Sequence, residues 1–142
     1  MEEHMAMRRL FSLAIFSMVL PIAACATGPA RYTPPAAEQV HPPWLVGTWQ
    51  GTAYQVVASR DAAQEVAVTV TFEPGGAWKA MNGASGASWL VGNWVVLDGA
   101  FSGGSRIRYT LKERQNADGT HELWGVGEAT FGAASVSLKK TR

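Results

Sequence analysis

From Trp44 onward, apolar side chains recur at every second position, and no stretch of useful length carries a helical spacing. Val66, Val68, Val70 and Phe72 share one face of an extended segment, with Ala67, Thr69 and Thr71 on the other. Period two is the mark of a half-buried strand, whose successive side chains point to opposite faces. Glu73-Pro74-Gly75-Gly76, Asp98-Gly99 and Asn116-Ala117-Asp118-Gly119 punctuate the alternation as turns. Between them the pattern predicts a long first strand from Trp44, one over 66–72, and a short one through Trp78. Further strands follow over 88–97, 105–114, 121–128 and 135–140, about seven to eight in all. The fold class expected is all-β, as stacked sheets or a closed barrel. Closure removes the sheet edges that invite aggregation.

The hairpin around Asn116–Gly119 fixes an expected core. Pairing Gln115 or Ala117 with Thr120 puts Tyr109 and Leu111 on one face with Trp124 and Val126, because both registers have the same parity. The other face then carries Arg106, Arg108, Thr110, Lys112 and Arg114 beside His121, Leu123, Gly125 and Gly127. The first face is taken as core and the second as wall, unless a β-bulge intervenes.

The N-terminal part is of another kind. Arg8 and Arg9 precede an uncharged stretch from Leu10 to Ala24, which closes as Ile22-Ala23-Ala24-Cys25. A positive start, an apolar run and small residues at the cut are what a secretory leader needs. Glu2 and Glu3 are foreign to such a start, so Met5 and Met7 compete with Met1 as the first residue. The closing run resembles the lipobox of bacterial lipoproteins. That resemblance implies residues 1–24 as signal peptide, a lipidated Cys25 as mature N-terminus, and anchorage in a membrane of the cell envelope. Ala26 in place of Asp after the cysteine implies, by the same resemblance, the outer membrane facing the periplasm. Cleavage after Ala26 and an uncleaved anchor are the rival readings; the latter is short against the ~20 apolar residues of a spanning helix. Arg8-Arg9 also touches the twin-arginine export pattern, without the expected serine. Residues 26–43 hold five prolines among small residues and read, with Cys25, as a lipidated linker over 25–43. Extended at ~3.1 Å per residue, it would hold a domain over 44–142 tens of Å from the bilayer.

Gly47-Thr48-Trp49, at the start of the first strand, resembles the Gly-x-Trp signature that opens lipocalins and avidin-like barrels. The resemblance implies a small antiparallel up-and-down β-barrel, with Trp49 plugging its closed end beneath Lys139, Lys140 or Arg142. The polar set with which avidins hold biotin has no match, and no ligand is carried over.

Charge and composition narrow the function. A net charge of +1, unchanged on removing Glu2, Glu3, Arg8 and Arg9, gives no nucleic-acid footprint. One cysteine excludes a disulfide framework and, once acylated, a thiol nucleophile. His41 and His121 have no metal-ligand spacing, and the glycine-rich pieces lack the ending of a phosphate loop. No cofactor, metal or catalytic residue is therefore expected. Glu113 and Glu122, which would approach each other across the hairpin, are the weak exception, at the spacing of paired glycosidase acids. Of the six tryptophans, Trp78, Trp89 and Trp124, with Tyr109, are candidates to line a cup for an apolar or amphipathic ligand. They serve equally as filling for a narrow barrel. Trp89 and Trp94, five positions apart, would face opposite ways on one strand. Arg106, Arg108, Lys112 and Arg114 project from one strand face. They are either a solvated wall or a grip on an anionic envelope component. The two functions that follow are a non-catalytic lipoprotein whose barrel binds a small apolar molecule, and a filled barrel docking an anionic partner. The volume of the interior separates them.

Overall fold

A computed structural model describes residues 33–57, 63–130 and 132–141. Eight antiparallel strands run β1 Gly47–Val57, β2 Gln64–Phe72, β3 Ala77–Ala80, β4 Ser85–Val91, β5 Trp94–Ala100, β6 Arg106–Gln115, β7 His121–Ala129 and β8 Gly132–Lys140. Each pairs with the next, and β8 returns to β1, closing an up-and-down barrel.

One turn chemistry recurs. Glu73 bonds across to Ala77, Ala80 to Ala84, Phe101 to Ser105 and Asn116 to Thr120, each enclosing a three-residue loop. The last loop residue is in each case a glycine at positive φ: Gly76, Gly83, Gly104 and Gly119. A type I turn followed by a left-handed residue is a common way to close a loop of that length, and glycine takes the left-handed position without strain. Gln115 therefore pairs with His121 and not with Thr120. The odd loop length reverses the parity expected for this hairpin: Tyr109 faces Gly127 and Leu111 faces Gly125, while Trp124 pairs with Lys112 on the outside.

The segment 88–97 also departs from the expected single strand. It is two strands, split by a tight hairpin at Gly92-Asn93 with Val91 opposite Trp94 and Gly92 at φ +62°. Trp89 pairs with Val96 and Trp94 with Lys112, so both indoles lie on the outer wall and neither lines the lumen.

The lumen is filled. Trp49, Val70, Phe72, Trp78, Val95, Leu97, Ile107, Leu111, Leu123 and Leu138 form its core. Room for them comes from inward glycines: a Cβ on Gly51, Gly86, Gly99 or Gly125 would run into a carbonyl oxygen of the adjoining strand. Such glycines let strands bend sharply enough to close a narrow barrel. The space left among these side chains is about 40 Å³, far below the ~300 Å³ at which small-molecule sites begin. At the end opposite Trp49 the barrel opens into a hollow of about 300 Å³ along Gln55, Val66, Val68, Ala80, Met81 and Phe101.

One end is sealed by the strap that precedes β1. A 3-10 turn, Pro43–Leu45, lays Trp44 across the end, where its ring stacks on His121 at 5.4 Å. Trp49 is fully buried, donates its Nε1–H to the Leu45 carbonyl at 2.8 Å, and lies 6.0 Å beneath the Lys140 amine. Lys140 in turn donates to the Trp44 carbonyl at 2.6 Å. This is the plug arrangement implied by the Gly-x-Trp resemblance, with Lys140 as the covering cation. Residues 33–43, read from sequence as loose linker, lie along the barrel. Pro34 and Pro42 are buried, Val40 accepts from Leu90 on β4, and Thr33 accepts from Arg108 on β6. The leader and Cys25 fall outside the described residues.

Candidate functional site

The four candidate ligand residues part company. Trp78 and Tyr109 point inward. The Trp78 indole donates to the Ala87 carbonyl at 3.0 Å and lies over Gly99. Tyr109 occupies the space that a side chain at Gly127 would need, and burial raises its phenol above the ordinary tyrosine value. Both are packing. Trp89 is buried on the outer wall, 5.5 Å from the Arg108 guanidinium. Trp124 alone stands in an open depression.

That depression follows from side-chain sizes on three adjacent strands. Outward along most of β8 stand Ala133, Ser135 and Ser137, all small, with Lys139 beyond them at the strand's end. Across one ladder they face Glu128, Val126 and Trp124 of β7, and across the other Val56, Tyr54 and Thr52 of β1. A low strand between two tall ones makes a furrow in a wall that would otherwise be convex. Strand spacing of about 4.8 Å puts its sides roughly 10 Å apart. The cavity measures about 740 Å³, extends past Gly125 and Gly127 to Thr110, Arg108 and Trp94, and is lined mainly by apolar surface. A smaller hollow of about 350 Å³ adjoins it along Trp124, Ser135 and Ser137. Trp124 is 49% exposed, Tyr54 50%, Val56 55% and Val126 65%, so the large apolar side chains here meet solvent. The Tyr54 hydroxyl, bonded to Glu65 at 2.8 Å, is held protonated above its usual value by that carboxylate.

The basic stripe of β6 also faces outward, beside Trp124 and Val126 and not beside the glycines as expected. Its charges are engaged. Asp98 lies 3.7 Å from Arg106 and 3.9 Å from Arg108. Arg108 also donates to Thr33 at 3.0 Å. Lys112 sits 5.8 Å over the Trp94 ring. Arg114 pairs with Glu122, which Lys139 approaches to 3.2 Å. These two donors hold the Glu122 carboxyl below its ordinary pKa.

Glu113 and Glu122 do not form an acid pair. Register places Glu113 opposite Leu123 inside and Glu122 opposite Arg114 outside. Glu113 instead meets His121 Nδ1 at 2.6 Å, under the stacked Trp44. Among the described residues, no three His, Cys, Asp or Glu side chains are grouped to hold a metal ion.

No known protein family, curated protein or solved structure matches this chain. What fold and face define is a class: a small closed antiparallel barrel with a filled lumen and an apolar furrow on its outside. Tyr54, Val56 and Val126 were missed from sequence. The small-residue alternation Ala133, Ser135, Ser137 was the available signal, but it acquires meaning only once β8 is known to pair with β1.

Proposed function

We propose that this chain is a non-catalytic envelope lipoprotein, acylated at Cys25, whose barrel takes an apolar or amphipathic small molecule on its outer wall. The observation that carries the reading is the contrast of volumes: about 740 Å³ on the outer wall, against about 40 Å³ in the packed core and about 300 Å³ at the open end. Small-molecule sites measure about 300–1,000 Å³, are mostly apolar and hold few polar groups. The furrow falls well within that range and is lined mainly by apolar surface, whereas the hollow at the open end of the barrel only reaches the lower bound. The ligand position thus moves from the lumen favoured by the sequence to the face of Trp124 and Trp94. The Glu113–His121 pair gives no support to catalysis, because it is stacked beneath Trp44 at the sealed end. Docking of an anionic partner through Arg106, Arg108, Lys112 and Arg114 is less well supported, since carboxylates or an indole already engage these cations.

Titration of the protein with oleate below its micellar concentration, read by tryptophan emission, tests the proposal. A saturable change is expected for the wild type and its loss for Trp124→Ala/Val126→Ser. An emission unchanged by oleate, or a change that persists in that variant, rejects the furrow as the site. Cys25→Ser should release the protein from the membrane fraction and remove the acyl mass from the mature N-terminus.

A further inference from the structure

We infer that the furrowed wall is the face that the barrel lays on the bilayer in which it is anchored. The inference rests on acylation of Cys25 and adds to it an orientation. Its first support is where the described chain ends. The strap crosses the outside of the barrel from Val40, bridged to Leu90 on β4, to Thr33, bonded to Arg108 on β6. Arg108 is itself part of the furrow lining. The segment toward Cys25 therefore departs at the rim of the furrow. Cys25 lies eight positions before Thr33. At most ~3.5 Å per residue, that leash reaches about 28 Å. A linker of 18 free residues would allow the barrel any attitude. One pinned at Thr33 brings this wall closest to the lipid.

The second support is chemical. Tyr54, Val56, Trp94, Trp124 and Val126 combine aromatic rings that carry a polar atom with β-branched aliphatics, all on one wall. Trp and Tyr concentrate where hydrocarbon meets headgroups, since each has an apolar body and a polar edge. Lys112, its amine over Trp94, has the long stem that lets a cation stay in water beside buried apolar surface. The adjoining wall differs. There β2 and β3 turn outward Glu65, Ala67, Thr69, Thr71, Ala77 and Lys79, and Lys79 pairs with Glu73 at 2.7 Å. A barrel with one apolar and one polar wall, tied by a short leash at the edge of the apolar one, has a preferred side down. The tether raises the effective concentration of lipid at the wall, so a contact too weak to hold a free protein suffices.

The test uses the full-length acylated protein in phosphatidylcholine vesicles with or without bromine on the acyl chains, read by tryptophan emission. Bromolipid should quench the wild type, and Trp94→Phe/Trp124→Phe should lose most of that quenching while remaining vesicle-bound. Trp49, Trp78 and Trp89 are buried and report that the variant is folded. Equal emission in the two vesicle types would overturn the inference while leaving the anchor intact, as would quenching undiminished in the double variant. An N-terminus without acyl mass would overturn the anchor reading and this inference with it. A concentration-dependent dimer in ultracentrifugation, dispersed by Trp124→Ser/Val126→Ser and accompanied by no quenching, would assign the wall to a second copy and also overturn it.

Discussion

β6 and β7 lie side by side and resolve their alternation in opposite senses. On β6 the apolar residues Ile107, Tyr109 and Leu111 face in, and the charged residues Arg106, Arg108, Lys112 and Arg114 face out. Beyond Leu123, β7 reverses this: Gly125 and Gly127 face in, while Trp124 and Val126 face out. Alternation thus identifies a strand without stating which parity is the core. Volume decides. The lumen holds Tyr109 against Gly127 and Leu111 against Gly125 and has about 40 Å³ left, so two bulky β7 residues have no place there. Glycine is inside because it is small, and tryptophan is outside because the inside is full. The furrow is the consequence.

Truncation of two adjacent residues of β7 separates size from position. Leu123 is completely buried, and Trp124 is half exposed. By size, loss of the indole ought to be worse. By position, Leu123→Ala should destabilise by about 2–5 kcal/mol, as core leucines do. Trp124→Ala should change stability by less than about 1 kcal/mol, in the range of surface positions. Urea denaturation with equal m-values reads both. A larger loss for Trp124→Ala would mean that the wall assignment is wrong.

Glycine stands inside for two different reasons at Gly127 and Gly125. Gly127→Ala drives a methyl into the Tyr109 ring. Overpacking of this kind costs about 1–3 kcal/mol. If the ring is the obstacle, Gly127→Ala made on a Tyr109→Ala background should be close to neutral, with a coupling energy of about 1–3 kcal/mol. Gly125→Ala has no such remedy, because its methyl meets the Thr110 carbonyl oxygen of the backbone. Additive effects of Gly127→Ala and Tyr109→Ala would place the cause in the backbone instead.

These two strands also show what could be read in advance. The barrel was legible because its evidence is local: alternating residues, glycine turns, and Gly47-Thr48-Trp49 with a basic last strand. The face of Trp124 was not, because it hangs on the length of one loop. Loops of two or four residues at Asn116–Thr120 give one parity, and the three-residue loop that forms, with Gly119 at φ +81°, gives the other. The Gly92-Asn93 hairpin was concealed by apolar residues on both sides, Trp89-Leu90-Val91 and Trp94-Val95-Val96, which read as one strand. The furrow lay beyond local reading altogether. Tyr54 and Ser135 are paired neighbours in the wall, yet they come from opposite ends of the barrel sequence.

At the other end of β7 the outward position is a charge, the pattern of β6 is restored, and a substitution should matter less. Glu122 accepts from Arg114 on β6 and Lys139 on β8, and these donors lower its pKa in the folded protein. A carboxyl whose folded pKa is depressed contributes stability above its unfolded value, about 4.3 for glutamate, and loses it as pH falls through the folded value. Glu122→Gln should therefore be slightly less stable than the wild type at pH 7, and the gap should close on acidification below pH ~4. Asp118, lowered mainly by its bonds to Thr120, titrates in the same sense and is common to both proteins. Salt should narrow the gap at pH 7, since the three side chains sit at the barrel surface. Denaturation midpoints across pH 3–7 read the difference. A gap that stayed constant with pH would show that Glu122 acts by packing, and that the outward face of β7 is apolar in its effect along its whole length.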